Sequence, residues 1–253
     1  MNNKIHTPVI FDIFRKKIDP DGTLEVLKTD IHSHLIPNVD DGSHSYDFSI
    51  QCIQRMAELG YSKICLTPHF QSYKFKNDED DILERAEKLR QAISEQNIKM
   101  ELIVGGEYLV DSGFRKRLET NRFLKMNNQY LLIEFSFNQA ILGINELVFE
   151  LQKMGHEVIL AHPERYIYFY EHPEIPKRLK DQGVYFQSNI TSFTGFYSKR
   201  TIVECNKYIA NGWTDFLGTD MHNSIYLEAL VKACQDRKFR KILDTYQFLN
   251  NTI

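Results

Sequence analysis

The stretch Asp30-Ile31-His32-Ser33-His34, with Asp41 seven residues after His34 in Val39-Asp40-Asp41-Gly42, carries the side chains that a metal ion needs. Two histidines at i and i+2 on an extended backbone point to one side, because side chains alternate along a strand. Neutral imidazole is the commonest metal ligand in proteins, and a carboxylate beside the pair makes a seat for a divalent cation. Alone, such a pair is a weak signal, since two surface histidines near a strand end look the same. The chain repeats the pattern. His69 follows Pro68, Glu107 follows Gly105-Gly106, Glu134 ends an apolar run, His162 follows Ala161, and Asp220 and His222 stand in Thr219-Asp220-Met221-His222. Five histidines and four carboxylates suit borderline-to-hard divalent ions, and the lack of thiolates among them argues against a structural zinc site.

The elements that position these residues alternate. Leu24 to Leu27 reads as the start of a buried strand that carries the histidine pair. Ser45 caps a helix to Leu59, and Gly60 stands just past its end. Further strands are predicted at 63–67, 100–104, 130–135, 157–161, 184–188 and 215–218. Helices are predicted at about 77–96, 144–154, 174–182, 202–210, 225–236 and 239–250. Strand–helix alternation about seven times over, with strand runs apolar on both faces, predicts an α/β protein whose parallel sheet is closed or nearly closed into a barrel. His32/His34, His69, Glu107, Glu134, His162 and Asp220/His222 fall at or just past the C-terminal ends of different predicted strands. In a TIM-barrel-like fold those ends converge on one face, where active sites are built. Residues 1–23, ending in the turn Asp19-Pro20-Asp21-Gly22, read as an N-terminal appendage to a domain at 24–253.

Composition narrows the function. A chain of 253 residues with 42% hydrophobic and 26% charged residues is an ordinary globular protein with a sizeable core. Its net charge of −3 gives no footprint for nucleic acid. The four cysteines form no Cys-x-x-Cys pair, which predicts free thiols in a reducing compartment. No stretch has the apolar run of a signal peptide or of membrane insertion, so the expected location is cytoplasmic. Cys234 to Arg240 has the Cys-x5-Arg spacing of a thiol phosphatase. It contains no glycine and follows a helix, so it lacks the amide nest that the thiol chemistry requires.

The stretches DIHSHLIPNVDDGS, LTPHF, GGEYLV, LLIEFS, ILAHPERY and GTDMHN follow one another between Asp30 and Asn223. In that order and spacing they resemble the PHP (polymerase and histidinol phosphatase) superfamily, and within it the bacterial metal-dependent tyrosine phosphatases of capsular and exopolysaccharide operons. The resemblance implies a distorted seven-stranded (β/α) barrel with three divalent metal ions, usually manganese, with iron or zinc among relatives. It implies that His32, His34, Glu107 and Asp220 hold one ion, and that Glu107 bridges to a second completed by Glu134 and His162. Asp41, His69 and His222 would hold the third. Arg165 matches the family's phosphate-binding arginine, and its planar fork suits phosphate oxygens.

Some relatives carry a further basic residue after the last ligand, whereas this chain has Asn223-Ser224-Ile225-Tyr226. Lys74 and Lys76, after His69, are the candidates to replace it in binding substrate. The implied reaction is hydrolysis of phosphotyrosine on a bacterial tyrosine kinase that controls polysaccharide export, through a hydroxide held between two metals. Phe70, Tyr73 and Phe75, with Phe193, Phe196 and Tyr197, are the aromatics expected at the mouth to select the phenyl ring. Two rivals stay open: a phosphatase for histidinol phosphate or another small monoester, and a metal-stabilised scaffold that binds a kinase without chemistry.

Overall fold

The structure, a computed structural model, describes residues 22–253, so all but the last two residues of the expected appendage lie outside it. Nine parallel strands alternate with helices in the order β1 (Thr29–Ser33), α1 (Tyr46–Glu58), β2 (Lys63–Leu66), β3 (His69–Phe70), α2 (Glu79–Glu95), β4 (Glu101–Val104), β5 (Glu107–Leu109), α3 (Phe114–Thr120) and β6 (Tyr130–Glu134). There follow α4 (Ile144–Lys153), β7 (Glu157–Ala161), α5 (Ile167–Glu171), α6 (Glu174–Asp181), β8 (Tyr185–Asn189), α7 (Lys199–Ala210), β9 (Thr214–Gly218), α8 (Ser224–Cys234) and α9 (Arg237–Thr245). The strands form a sheet of three, β1-β2-β4, and a sheet of six, β3-β5-β6-β7-β8-β9.

The seven expected strands do not close into a single sheet. Past the ends of the strands expected at 63–67 and 100–104, the chain breaks and then adds a short further strand in the second sheet. Pro68 has no amide hydrogen to give a ladder, and it separates β2 from β3. Gly105-Gly106 separates β4 from β5, and a side chain at Gly106 would come within 2.7 Å of the Phe70 ring. Pairing resumes after both breaks, with His69 opposite Glu107 in register. β1 also begins later than expected: Leu24 to Leu27 fold as turns, and Lys28 takes a left-handed φ of 55° before the strand starts.

Helix ends follow local chemistry. Ser45 caps α1 through Phe48 N at 3.2 Å, Asp78 caps α2, and Asn223 caps α8 through Ile225 N at 3.0 Å. Each satisfies amide donors that the first helical turn leaves free. A large core fills the space between strands and helices, while Tyr130, Leu132, Ile159 and Phe216 belong to a smaller buried cluster. Glu134, two residues after Leu132, shares that face of β6 and so stands above an apolar floor.

The first and last strands meet. Asp220 N donates to His32 O at 2.8 Å and His34 N to Met221 O at 2.9 Å. The buried Asp30 carboxyl accepts from Thr219 N at 2.8 Å and Thr219 Oγ1 at 2.7 Å. Asn250 fills the seam below: its Nδ2 donates to Thr29 O at 2.8 Å and Leu217 O at 2.7 Å, and its Oδ1 accepts from Leu217 N at 3.0 Å.

Candidate metal centre

His32 and His34 leave β1 with their Nε2 atoms 3.1 Å apart, and both face the carboxylates of Glu107 and Asp220. Glu107 Oε2 lies 3.3 Å from each Nε2, and Asp220 Oδ1 lies 3.5 and 3.4 Å away. All four residues are buried. The far nitrogens are fixed from outside. His32 Nδ1 meets Gln187 Oε1 at 2.8 Å, and His34 Nδ1 meets Asp40 Oδ2 at 2.8 Å. Gln187 spends its amide on Asn189 Oδ1, so its oxygen accepts and His32 Nδ1 carries the hydrogen. Hydrogen on both Nδ1 atoms turns both Nε2 lone pairs inward. Both lone pairs then face the two carboxylate oxygens at 3.3 to 3.5 Å.

The cluster continues toward the surface. His162 Nε2 lies 3.0 Å from Glu107 Oε1 and 3.7 Å from Glu134 Oε1, and His69 Nδ1 lies 2.9 Å from Glu107 Oε2. Asp41 Oδ1 lies 3.6 Å from His69 Nε2 and 3.7 Å from His222 Nε2. His69 thus belongs with the third expected set and also touches the second. Four groups of donors close enough for one ion recur among these residues: His32-His34-Asp220, His32-Glu107-His162, His69-Glu107-Glu134 and His34-His69-His222. Asp41 is in none of them. It is half-exposed, and Lys74 Nζ holds its other oxygen at 2.9 Å.

Charge gives a second test of fit. Burial opposes ionisation of Glu107, but the charges of His32 and His69 outweigh it and hold this carboxyl well below its usual range. Burial and the Glu107 charge together push Glu134 well above its range. Burial and the nearby Arg165 push His162 down to about 4, so its imidazole is neutral and its lone pair available. Buried carboxylates that cannot all ionise by themselves are what a divalent cation relieves. A proton is the competing occupant: burial disfavours it on His34, yet Asp40, Asp220 and Glu107 raise that pKa well above the usual value.

Arg165 stands at the edge of the cluster, in the turn after His162. Its Nη1 donates to Asp220 Oδ2 at 3.0 Å, and its guanidinium lies 4.1 Å from the Tyr197 ring centroid and 4.4 Å from that of Phe137. Asn189 Nδ2 at 2.8 Å and Tyr197 OH at 3.1 Å donate to the same oxygen, so Asp220 is left with Oδ1 for the cluster. The buried Glu164 anchors the turn by accepting from Asn189 N at 2.9 Å and Ser192 Oγ at 2.6 Å. His162 and Asp220 both have left-handed backbones, with φ of 33° and 52°. At each, the chain turns sharply at a strand end so that the side chain reaches inward.

An open cavity of about 360 Å³ leads to the cluster, lined by Asp41, His69, Lys74, Glu134, His162, Arg165, Asp220 and His222 among others. The structure thus brings all nine expected ligands, Arg165 and Lys74 together. Lys76 is elsewhere, exposed and lining a neighbouring cavity with Arg117. The expected aromatics mostly turn away. Phe70 and Phe193 are buried in the core, Tyr73 is exposed, and Phe75 packs face-on against His69. The four cysteines are buried, and burial pushes the Cys234 thiol up to about 12. Gln187 and Asn189 stand outside the expected site residues, and Tyr197, expected to select the substrate ring, instead holds Asp220 and Arg165. The signal was present in β8, whose end Gln187-Ser188-Asn189 is polar yet buried where the neighbouring strands are apolar.

An α/β fold with parallel strands whose ends gather histidines and carboxylates defines a metal-binding protein of the hydrolase type. The chain belongs to the CpsB/CapC family of capsular polysaccharide synthesis, whose model matches residues 28–249. It is 27% identical over 195 residues to the tyrosine-protein phosphatase YwqE of Bacillus subtilis (strain 168), covering 77% of each chain. It is 26% identical over 213 residues to the putative tyrosine-protein phosphatase CapC of Staphylococcus aureus, covering 83% of this chain and 84% of that one. Its fold matches a crystal structure from a study of YwqE of Bacillus subtilis and CpsB of Streptococcus pneumoniae, described as metal-dependent tyrosine phosphatases. The TM-score is 0.75 at 24% identity, over 85% of this chain and 91% of that one. A histidinol phosphate phosphatase of Lactococcus lactis shares the fold more loosely, at a TM-score of 0.50 and 14% identity over 82% of this chain and 94% of that one.

Proposed function

We propose that this chain is a metal-dependent protein-tyrosine phosphatase of capsular polysaccharide synthesis, whose substrate is phosphotyrosine on a bacterial tyrosine kinase. The observation that carries the reading is the convergence of eight donor side chains, with Asp41 beside two of them and one arginine at their edge. We assign His32, His34, Glu107 and Asp220 to one ion, and Glu107, Glu134 and His162 to a second. Asp41, His69 and His222 go to a third, with manganese the first choice and iron or zinc the alternatives. The two sheets act as one open, distorted barrel spanning 24–253, to which 1–23 is an appendage. Among the described residues, no helix is long and apolar enough to cross a membrane, which accords with action in the cytoplasm.

Bound divalent ions supply Lewis acidity toward phosphoryl oxygens and a water of lowered pKa. The chain's own residues do the rest. Gln187 and Asp40 orient two imidazoles, and three donors on Asp220 Oδ2 fix which oxygen that carboxylate presents. Arg165, flanked by two rings and tied through Nη1, keeps its other donors for a phosphate oxygen. A phenolate leaves near pKa ~10, so the reaction needs less help from an acid than a serine alkoxide would. Buried thiols with raised pKa values are poor nucleophiles, which assigns no role to cysteine.

A turnover panel tests the reading. Manganese-loaded protein is assayed on p-nitrophenyl phosphate, a phosphotyrosine peptide, histidinol phosphate and a short oligonucleotide. The phosphotyrosine peptide is expected to lead, and chelation to abolish turnover. Preference for histidinol phosphate would favour the small-molecule rival, and no hydrolysis of any ester would favour the scaffold.

A further inference from the structure

The aromatics expected to select the substrate ring are mostly committed elsewhere, yet two others line the cavity over the ligand cluster. Phe137 follows β6 and Tyr226 lies in the first turn of α8. Each stands beside a different expected ligand. The Phe137 ring is 5.5 Å from the His162 imidazole, and the Tyr226 ring is 5.1 Å from that of His222. Both are held in place. Ile167 N donates to Phe137 O at 2.9 Å. Asn223 caps the turn that carries Tyr226, and Phe196 meets the Tyr226 ring edge-on at 5.0 Å. Both are only partly buried, so neither is spent wholly on the core.

From this placement we infer that Phe137 and Tyr226 are specificity-determining residues that grip the aryl group of an aryl phosphate from two sides. The inference rests on the phosphatase reading and adds the residues that choose the ester. The phenyl ring of phosphotyrosine stands one ester bond beyond its phosphoryl group, so a phosphoryl group held over the cluster leaves the phenyl ring in the cavity that these two rings line. A serine or alkyl ester offers no π-face there, so only the aryl ester gains the ring contacts. Arg165 lies on the Phe137 ring as well, and so links the wall to the residue that holds phosphate.

The test separates ring contact from metal chemistry by reading binding rather than turnover. Phenylphosphonate and methylphosphonate are titrated calorimetrically into manganese-loaded protein, and the ratio of their affinities reports the ring. Wild type is expected to prefer the phenyl compound. Each of Tyr226→Ala and Phe137→Ala is expected to lower that ratio roughly two- to tenfold, the worth of one aromatic pair. Tyr226→Phe keeps the ring and is expected to keep the ratio. Equal affinity for the two phosphonates in wild type, or an unchanged ratio in both alanine variants, overturns the aryl grip alone. A loss of both affinities together in Tyr226→Phe also overturns it, since the hydroxyl and not the ring would be the contact. If wild type binds neither phosphonate and hydrolyses no ester, the phosphatase reading fails and takes the grip with it.

Discussion

His32 and His34 are buried, and each has its far nitrogen fixed at 2.8 Å by a partner outside the cluster. Asp41, at the other end, is half-exposed and held by Lys74, a surface side chain. The inner end is set before any ion arrives, because lone-pair directions are decided by hydrogen bonds that solvent does not reach. The outer end is set by groups that water and salt loosen. Two halves of one cluster should therefore bind ions with different tenacity, the inner tightly and the outer in exchange with solution.

Glu107 joins the halves, since its two oxygens reach His32, His34, His69 and His162. Glu107→Gln is expected to have the largest effect, a loss of more than about 10³-fold in kcat/KM, equal to several kcal/mol of transition-state stabilisation. Bound metal, measured by elemental analysis, should fall in both halves; a variant that loses only one ion would break the proposed bridge. Arg165→Ala comes next, at about 10²-fold in kcat/KM. Asn189 and Tyr197 still hold Asp220, so metal content should change little. A near-wild-type rate would return Arg165 to a purely structural tie.

The comparison itself is tested by the two smaller effects. Asp40→Asn keeps the shape but weakens the support of His34, and a loss of about 10- to 100-fold in inner-site metal affinity is expected from competition with a chelator. Asp40 Oδ2 also accepts from His69 N at 3.0 Å, so circular dichroism should accompany the titration to check the fold. Lys74→Ala removes an exposed pair worth at most about 1 kcal/mol, so metal affinity should shift by less than about fivefold. It should shift toward tighter binding, because Asp41 is released. Equal effects from the two substitutions would falsify the division into a fixed and a loose half.

The residues of the cluster were legible because strands and helices leave different periodic traces, and because all of them but Asp41 sit where a strand trace stops. Their supporting residues were less so. Asp40 could be noticed beside Asp41, but which of two adjacent carboxylates faces the cluster depends on a turn whose geometry no pattern records. Gly42 forces that choice, since a side chain there would come within 2.3 Å of His34 O. The breaks at Pro68 and Gly105-Gly106 were visible as residues, yet their effect on sheet continuity depends on pairing with a partner strand. The aromatics misled for a related reason. Phe70 alternates to the outer face of β3, where it stacks on Tyr108 at 4.6 Å, while Phe137 and Tyr226 lay outside the two loops that looked aromatic-rich.

Asn250 sutures β1 to β9, and the ligands on those strands come from opposite ends of the described chain. On the ribosome, His34 emerges about 200 residues before Asn250 does. At about 5–20 residues per second that interval is roughly 10–40 s, during which the histidine pair has neither Asp220 beside it nor a seam to hold it. A nascent chain can therefore offer an ion only a floppy pair of imidazoles. Under the proposed assignment, selective loading would wait until Asn250 has closed the seam, so the centre would be filled after these residues are made and would not template their folding.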